Sequence, residues 1–422
     1  MTCTYENNHP RHGNGPLGAA PLAAAARPSA AVFDVAIVGA GPAGGAAALA
    51  LGGTGLRVLV VEKAVPPRYK TCGGGVLWRA IKLLPLDVRS VVERECRTAE
   101  LVHHNPSLRF FCRREHPVVC MVMRSRFDHL LLTAAMNAGG VEVRPETTVT
   151  DVHPGGDAVC LVTDSGEIHA RHVIAADGAN SIVARKTGRP ELRGVFPAFE
   201  CEATFSEDAM APFMEAARFD FGLVPAGYGW VFPKRNHLSV GVGTTRRGAA
   251  NLPASYRTYV DRLGLGTALT EERHGYMIPC RPRDGLFGVP RILFTGDAAG
   301  LADPVTAEGI TAGILSGQLA ARAILAAGND PARAGREYRT ALQRELLADL
   351  RIARRLAWLL YDRPRWAAAL LSRHGQGMSE LMTRVVTGEC TYRDAVRRPG
   401  HYLRLLRPGP RQSTASAVET KP

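Results

Sequence analysis

The alternation of apolar and polar positions along the chain predicts buried strands and helices of the α/β type. Phe33 to Val38 is a short apolar, β-prone run that predicts a buried strand, and an Ala-rich helix is predicted from Pro42 to Gly53. A second strand is predicted from Arg57 to Val61, and a long apolar helix from Gly309 to Ala327. Strands and helices that alternate in this way favour a parallel sheet covered by helices.

A different pattern in the middle of the chain predicts an antiparallel hairpin. Tyr228, Trp230 and Phe232 alternate with other residues, so their rings project from one face of a strand. Lys234–Asn236 then predicts a turn into a second strand, His237–Gly243. An aromatic stripe of this kind is either ordinary core or the wall of a large apolar site.

The net charge of +13 is concentrated near the end of the 422-residue chain. Pro331 to Pro410 contains sixteen Arg, no Lys and seven acidic residues. Such a segment suits an anionic lipid surface, an acidic protein or a nucleic acid, and it is equally typical of a solvated helix face. We expect no nucleic-acid partner, because no other feature of the sequence supports one.

Cysteine usage and hydropathy restrict the setting of the protein. The nine cysteines include no CxxC pair, which argues against disulfides and metal clusters and favours a reducing compartment. The sequence contains no run of eighteen apolar residues, so it predicts no membrane span. Residues 1–30 lack the pattern of a signal peptide. We therefore expect no metal, a disordered leader, and a cytoplasmic protein that at most lies at the inner face of the membrane.

A glycine-rich turn links the first predicted strand to the first helix. Gly39, Gly41 and Gly44 fit G-x-G-x-x-G: the first permits the tight turn, the second lets the backbone approach a pyrophosphate, and the third lets helix and strand pack closely. Pro42 suits the first helical turn, whose free N–H groups attract phosphate. Glu62 ends the second strand, where its carboxylate can accept a ribose 2′-hydroxyl, which argues against NADP at this site.

Two further turns place an acidic residue directly after a predicted strand. Asp177 follows Val173–Ala176, and Gly296-Asp297 follows Ile292–Phe294. Each carboxylate can accept a ribose or ribitol hydroxyl, although a loop Asp also caps helices. In this order the three motifs resemble those of the FAD-dependent hydroxylase superfamily, which includes the aromatic-ring hydroxylases, over Asp34 to Gly317.

The resemblance implies that FAD is the cofactor and that an arginine in Val122–Asp128 contacts it. Arg124 is the expected residue, Arg126 competes with it, and a surface arginine on a helix is the alternative. Gly309 and Ile310 begin the long apolar helix, whose N-terminus is expected to face the flavin. That helix end would stabilise the negative charge of reduced flavin by about 0.3–1 kcal/mol.

Two more motifs narrow the resemblance to one branch. Lys70-Thr-Cys-Gly-Gly-Gly75 contains three successive glycines, which let the backbone pass close to something flat. Together with Pro225-x-x-Tyr-x-Trp-x-Phe-Pro233 it resembles the geranylgeranyl reductase family, whose members reduce isoprenoid double bonds in chlorophyll side chains, archaeal lipids or quinone tails. The family pattern implies that Cys72 lies near flavin and substrate and that the three aromatic rings face the lipid. Ala307 departs from this pattern, in which Gly is expected.

The resemblance implies an FAD-dependent reductase that saturates C=C bonds of a polyprenyl chain on a lipid, quinone or pigment. Cys72 is the candidate proton donor, or a packing residue under the flavin. The external reductant is NADPH, a ferredoxin or a deazaflavin, so an electron-donor protein is one of the expected partners. The alternatives are a flavin monooxygenase or halogenase on an aromatic substrate, and an electron carrier to quinone. Relatives of such an electron carrier have a C-terminal ferredoxin-like domain that binds a cluster through several cysteines. In this sequence Cys390 is the only cysteine after Cys280, which is too few for such a domain.

We expect a continuous apolar cavity from Cys72 past Trp230, open toward a membrane, with Gly227 and Gly229 leaving the other strand face open to close approach. Apolar residues at helical spacing, with arginines between them, predict helices on an anionic membrane surface. The apolar positions are Leu346, Leu347, Leu350, Ala353, Leu356 and Ala357, and the basic ones are Arg351, Arg354 and Arg355.

The predicted fold class is α/β: a Rossmann-type FAD-binding domain interleaved with a mixed β-sheet substrate domain, plus a helical C-terminal region. The predicted segments are a disordered leader (1–30), the FAD-binding domain (31–97, 123–190 and 288–330), the substrate-binding sheet (98–122 and 191–287), a basic helical region (331–411) and a disordered tail (412–422). The predicted cofactor-binding residues are Gly39, Gly41, Pro42, Ala43, Gly44, Glu62, Lys63, Cys72, Gly73, Gly74, Arg124, Asp177, Gly296, Asp297, Gly309 and Ile310.

Overall fold

The computed structural model describes residues 32–104, 107–246, 251–283, 285 and 287–397. The predicted leader, the predicted tail and the last part of the basic region lie outside the described residues. The described strands are β1 Phe33–Val38, β2 Val58–Val61, β3 Gly75–Leu77, β4 Val92–Cys96, β5 Thr98–His104, β6 Ser107–Arg113, β7 Val119–Val122, β8 Val141–Arg144, β9 Val149–Pro154, β10 Val159–Thr163, β11 Gly166–Ala175, β12 Val195–Thr204, β13 Ala216–Phe221, β14 Gly227–Pro233, β15 Leu238–Thr244, β16 Thr270–Pro279, β17 Gly288–Val289 and β18 Ile292–Phe294.

The helices alternate with these strands and then follow one another at the end of the described chain. They are α1 Pro42–Leu51, α2 Trp78–Ile81, α3 Arg124–Asn137, α4 Ile182–Lys186, α5 Glu207–Met210, α6 Leu252–Leu263, α7 Gly296–Ala299, α8 Ile310–Ala327, α9 Pro331–Leu342, α10 Ala348–Ala357, α11 Pro364–Thr387 and α12 Tyr392–Arg397. Short 3₁₀ turns lie at Arg89–Val91 and Ala211–Phe213, and π-helical turns flank α10 at Gln343–Leu347 and Trp358–Asp362.

The described strands form three sheets. The largest has the order β17-β18-β11-β1-β2-β8, and β10 and β9 extend it from β11. Strands β18, β11, β1, β2 and β8 run parallel, so the turn after β1 and the carboxyl end of β11 meet at one edge. The residues of β1 and β2 are almost all buried, as expected for parallel strands covered on both faces.

The second sheet is mixed, with the order β16-β12-β15-β14-β13-β5-β6. The third is small, with the order β3-β7-β4, and the chain passes through β5 and β6 of the mixed sheet between β4 and β7. Of the segment 98–122, β5 and β6 lie in the mixed sheet, whereas β7 pairs with β3 and β4 because Gly75–Leu77 aligns with Val119–Met121. The α/β fold with a second sheet and a helical C-terminal region is confirmed.

Helix α8 packs directly on α1 beneath the large sheet. A Cβ at Gly317 would lie 2.1 Å from the carbonyl oxygen of Ala43, so the two backbones touch. By length and composition α8 is the one helix among the described residues that could cross a membrane, yet 78% of it is buried inside the protein. Its apolar surface is therefore used in the core.

The apolar stripe of the C-terminal helices also packs inward. Leu347 and Leu350 join the core of the large sheet, while Ala353 and Ala357 join the cluster around the aromatic rings of β14. The expectation that this stripe faces a membrane is wrong, because an amphipathic helix covers core and lipid with the same residue pattern. The interleaved arginines at 351, 354 and 355 are exposed to solvent.

Candidate functional site

One cavity of about 1080 Å³ extends from the glycine turn after β1 to the underside of α11. We call its polar part, around the glycine turn, the cradle. The remainder, enclosed by β5, β6, β13, β14 and α11, we call the apolar arm. Of the predicted cofactor- and substrate-contacting residues, all except Gly44 line this cavity.

The glycine turn shows a separate reason for each glycine. Gly39 has φ +98°, and a Cβ there would lie 2.5 Å from the carbonyl oxygen of Ala176. At Gly41 the nearest atom to a Cβ would be Nη2 of Arg124 at 3.8 Å, so the space beside this residue is open and belongs to the cavity. The N-terminus of α1 begins immediately afterwards at Pro42.

Gly44 is placed differently from the other predicted contact residues. A Cβ at this position would lie 1.9 Å from the carbonyl oxygen of Gly39 and 3.2 Å from Cγ2 of Ile37. Gly44 was predicted to contact the cofactor, but it does not line the cavity. It faces β1 instead and lets α1 pack against that strand.

Charged side chains alternate along the floor of the cradle. Glu62 accepts a hydrogen bond from the backbone N–H of Ala40 at 2.9 Å and pairs with Arg68 at 3.2 Å. Arg68 contacts Asp128 at 2.8 Å, and Asp128 in turn accepts two hydrogen bonds from Arg124. In this network each buried charge is paired with an opposite charge, which offsets the free-energy cost of removing it from water.

The structure separates the two candidate arginines. Arg124 lines the cavity, while Arg126 pairs with Glu93 at 2.9 Å and donates to the carbonyl oxygen of Ser90 outside it. Arg124 and Arg126 are the first and third residues of α3, so their side chains project from different sides of the helix, and that of Arg124 lies toward Gly41.

The two acidic residues after β11 and β18 are both half-buried and line the cavity. Asp177 accepts the backbone N–H of Val183 at 3.1 Å with Oδ2, whereas its Oδ1 finds no partner within the described residues. Asp297 accepts the hydroxyl of Tyr276 at 3.0 Å. Burial raises the pKa of both carboxyl groups. Asp177 thus caps α4 and also leaves one oxygen free for a ligand.

The loop before α8 carries the unexpected alanine. Ala307 has φ +54°, a left-handed conformation that favours glycine, which explains why glycine is the expected residue. Glu308 accepts the backbone N–H of Thr311 at 2.7 Å and so caps α8, and Gly309 and Ile310 line the cavity. The helix end therefore lies at the cavity, where the predicted contact with the flavin would require it to be.

The three glycines after Cys72 lie against aromatic rings and a lysine. A Cβ at Gly73 would lie 2.9 Å from the indole nitrogen of Trp230 and 3.0 Å from Phe232. Gly74 has φ +67°, and a Cβ there would lie 2.3 Å from Nζ of Lys234. At least part of the flat surface inferred from the sequence is the protein's own aromatic wall.

Tyr228, Trp230 and Phe232 form a continuous row of ring contacts along the apolar arm, at centroid distances of 6.0 and 6.2 Å. The tip of Tyr228 donates a hydrogen bond to the carbonyl oxygen of Thr306, which joins the wall to the loop before α8. On the other face of β14, the ring of Tyr259 approaches Gly229. The strand thus carries the wall on one side and core on the other.

Sequence reasoning missed several cavity residues. Lys70 stands with Nζ 3.4 Å from the ring centroid of Tyr276, and burial, followed by the charge of Arg124, lowers its pKa to about 8. Glu200, on β12, is buried beside Cys72, and burial followed by Glu202 raises its pKa to about 7. Lys70 belongs to a motif that the sequence displays, whereas no sequence signal marks Glu200.

A possible metal-ligand group lies elsewhere. Ligand atoms of Cys160, Glu167 and His169 lie within 4.8 Å of one another on the hairpin of β10 and β11. None of the three lines the cavity. None of the eight described cysteines forms a disulfide.

Comparison with known proteins agrees with this geometry. A family model described as an FAD binding domain matches residues 32–336. The menaquinone reductase of Mycolicibacterium smegmatis is 32% identical over 78% of this chain and 84% of the relative. The chloroplastic geranylgeranyl diphosphate reductase of Oryza sativa is 32% identical over 71% of this chain and 68% of the relative.

Solved structures share the fold at lower identity. A geranylgeranyl bacteriochlorophyll reductase-like protein from Thermoplasma acidophilum superposes with a TM-score of 0.68 at 21% identity, covering 89% of this chain and 96% of that one. A flavin-dependent brominase gives a TM-score of 0.66 at 20% identity, covering 88% and 100%.

The fold and the matched domain define an FAD-dependent oxidoreductase. Within that class, the chain belongs to the geranylgeranyl reductase family, whose enzymes act on CH–CH groups.

The cradle fits FAD. Open space beside Gly41 suits the approach of a pyrophosphate to the N-terminus of α1. The unpartnered Oδ1 of Asp177 is a buried polar atom of a residue that lines the cavity. Buried polar atoms are normally hydrogen-bonded, so this oxygen suits a polar ligand.

Proposed function

We propose that this protein uses FAD to saturate C=C bonds of a polyprenyl chain carried by a lipid, quinone or pigment. The observation that carries the proposal is the division of this cavity into a charged part and an uncharged part. Lys63, Arg68, Arg124 and Arg185 all lie on the side of the cradle. The lining residues contributed by β5, β6, β13, β14 and α11 include no Lys, Arg, Asp or Glu.

An apolar arm of this kind suits a long hydrocarbon. Burial of each methylene contributes about 0.8 kcal/mol, so a polyprenyl chain gains affinity from its length without a polar anchor. An aromatic acid, the substrate class expected for a hydroxylase, needs a cationic anchor, and the described lining of the arm contains no Lys or Arg and one histidine, His103. The names of the relatives, geranylgeranyl diphosphate reductase and menaquinone reductase, support the same substrate class.

The protein's own residues would bind and orient the reactants. The glycine turn and Asp177 would hold FAD, with Asp297 beside them, and the aromatic wall would align the alkene and exclude water. Bound FAD, once reduced, supplies hydride. An isolated alkene is not activated, so orientation has to supply much of the rate. Cys72 lies where cradle and arm meet, which is the place required of a proton donor.

The assay that tests this proposal uses FAD-loaded protein reduced with dithionite without oxygen. It is incubated separately with a geranylgeranyl lipid and with a menaquinone, and the products are analysed by mass spectrometry. We expect a gain of two hydrogen atoms for each saturated bond. A parallel assay supplies oxygen, NADPH and an aromatic substrate. Oxygen-dependent NADPH consumption with a hydroxylated or halogenated product there, and no hydrogen gain on prenyl chains in the first assay, would establish the monooxygenase alternative instead.

Replacement of Cys72 by alanine is expected to leave FAD bound and slow substrate reduction on the order of a hundredfold, the contribution typical of a general acid. Turnover and flavin absorbance measure the two effects separately. Cys160→Ala is the control, since Cys160 lies on the β10–β11 hairpin and does not line the cavity. Wild-type turnover in Cys72→Ala would leave Cys72 as a packing residue.

We also propose a peripheral contact with the inner face of an anionic membrane, through residues other than the buried stripe. Trp358 and Trp366 are 52% and 72% exposed, and Leu370 is 36% exposed. The guanidinium of Arg363 lies 4.9 Å from the ring centroid of Trp358. Tryptophan with neighbouring arginine is typical of membrane-surface helices. Helix α11 also lines the apolar arm, which brings this patch close to the substrate.

Flotation with anionic liposomes tests the membrane contact. Trp366→Ala is expected to reduce the bound fraction several-fold, and binding of the wild type is expected to fall steeply with salt, because each basic residue contributes about 1 kcal/mol near an anionic surface. Leu269→Ala is the matched control, since Leu269 is 71% exposed and lies next to the strand that begins Thr270-Glu271-Glu272. Salt-independent binding, or none, would contradict the proposal.

A further inference from the structure

Two oppositely charged, buried side chains hold the segment Cys72–Gly73 at its two ends, through the peptide N–H that enters it and the carbonyl oxygen that leaves it. The backbone N–H of Cys72 donates to Oε1 of Glu200 at 2.6 Å. Nζ of Lys234 donates to the carbonyl oxygen of Gly73 at 2.7 Å. Glu200 is 2% exposed and Lys234 is fully buried.

Both side chains are themselves fixed by neighbouring elements. Lys234, directly after β14, also donates to the carbonyl oxygen of Val122 on β7 at 2.9 Å. Glu200, on β12, also accepts from the hydroxyls of Tyr69 and Ser239, each at 3.4 Å. Glu200 thereby ties the segment to the mixed sheet. Lys234 ties it to both the mixed sheet and the small sheet.

The burial of these charges is costly and is offset only by their hydrogen bonds. Their main partners are backbone atoms of a segment with three glycines, which has no side chains of its own to pack and many accessible conformations. Hydrogen bonds to its backbone are therefore what can fix its position. The side chain of Cys72 moves with that backbone.

We propose that Glu200 and Lys234 are positioning residues, which together hold the Cys72–Gly73 segment and so set where the thiol of Cys72 stands in the cavity. The consequence for turnover rests on the proposed function; the consequence for the thiol itself does not. Neither residue needs to touch substrate or FAD, since both act through the backbone of the segment.

The ionisation of Glu200 should be visible in this arrangement. Burial, and next the neighbouring Glu202, raise its pKa to about 7, while Lys234 and Tyr69 favour the charged form. His274 lies opposite Glu200 on β16, stacked on Tyr69. A carboxylate accepts the N–H of Cys72 more strongly than a neutral carboxyl group does. The hold on the segment is therefore expected to weaken as pH falls through about 7.

The test measures alkylation of Cys72 by iodoacetamide in FAD-loaded protein, with peptide mass spectrometry to separate it from the other thiols. Lys234→Met keeps the apolar stem and removes the donor, and we expect Cys72 to react about tenfold faster, as the loss of a charge-assisted hydrogen bond implies. Glu200→Gln keeps an acceptor without a charge. In the wild type we expect the alkylation rate of Cys72 to change as the pH passes through about 7. In Glu200→Gln this pH dependence is expected to be absent.

Controls separate positioning from general loosening. Thr258→Ala removes a side-chain hydrogen bond within α6 at an exposed position that does not line the cavity, and it is expected to leave Cys72 reactivity unchanged. Cys160 in the same sample reports on the rest of the fold. Equal acceleration of Cys160 and Cys72, or unchanged Cys72 reactivity in the Glu200 and Lys234 variants, would overturn the proposal. If Lys234→Met does not fold, the pH dependence of Glu200→Gln decides.

The thiol measurement needs no substrate, so it stands even if the chain does not reduce polyprenyl chains. Where the reduction assay succeeds, both variants are expected to lower kcat more than they raise KM, because a displaced thiol affects the reaction and leaves the apolar arm intact. A change confined to KM would assign the two residues to substrate binding instead.

Discussion

Purified Gly41→Val protein is expected to fold and to be colourless, whereas the wild type is yellow with bound FAD. A Cβ at this position meets no atom of the described chain closer than Nη2 of Arg124 at 3.8 Å, so the fold tolerates it. The added methyl groups would occupy the space through which a pyrophosphate approaches the N-terminus of α1. Flavin absorbance and thermal unfolding, measured on the same sample, separate these two effects.

Two other glycines provide contrasting controls for this experiment. Gly156→Val introduces the same side chain where no described atom lies within 4 Å, and it should keep both colour and stability. Gly44→Val places its Cβ 1.9 Å from the carbonyl oxygen of Gly39 and should destabilise the fold itself. Full FAD occupancy in Gly41→Val would show that the cofactor does not use this turn.

The Trp230→Ala enzyme is expected to have a much lower kcat/KM for long prenyl substrates than the wild type. For five-carbon and ten-carbon substrates its kcat/KM should change little. The indole forms the centre of the aromatic wall, between the rings of Tyr228 and Phe232. Loss of apolar contact costs about 0.8 kcal/mol for each methylene that loses its neighbour, so kcat/KM for a twenty-carbon chain should fall at least about tenfold more than for a short one.

The control lies on the same strand. Val231 is fully buried, faces the opposite core cluster and does not line the cavity. Val231→Ala should cost on the order of 2 kcal/mol of folding stability without changing the preference for chain length. Equal losses at all chain lengths in Trp230→Ala would show that the indole supports the fold and does not measure the substrate.

The cradle was predictable from sequence because its parts are local. A strand, a glycine turn and a helix follow one another within twenty residues, and each glycine has a geometric reason that sequence spacing expresses. Gly44 shows the limit of that reasoning. Its spacing identifies the motif but does not say that it contacts the strand rather than the ligand.

Residues brought in by strand pairing could not be predicted. Glu200 reaches Cys72 across 128 positions, and Lys234 reaches Gly73 across 161. A single sequence contains no local pattern for such a contact, because it depends on the register of the mixed sheet. Lys234 was read only as a turn residue, although its side chain is fully buried.

The prediction that the apolar stripe of the C-terminal helices faces a membrane was wrong for another reason. Periodicity shows that one face of a helix avoids water, but not what covers that face. Leu350 packs into the core, while Trp366, outside the stripe, is exposed. Helices are present as predicted up to Arg397, where the described residues end, and the assignment of the apolar stripe to a membrane was wrong.

The charge-free lining of the apolar arm has a consequence for the order of reaction steps. Saturation of a double bond leaves the apolar area of a prenyl chain almost unchanged, so a site that binds by area distinguishes reactant from product poorly. We therefore expect the saturated product to compete with fresh substrate and partly reduced chains to remain bound for further rounds. In a time course, fully reduced chains should then appear early, before the unreduced pool is exhausted.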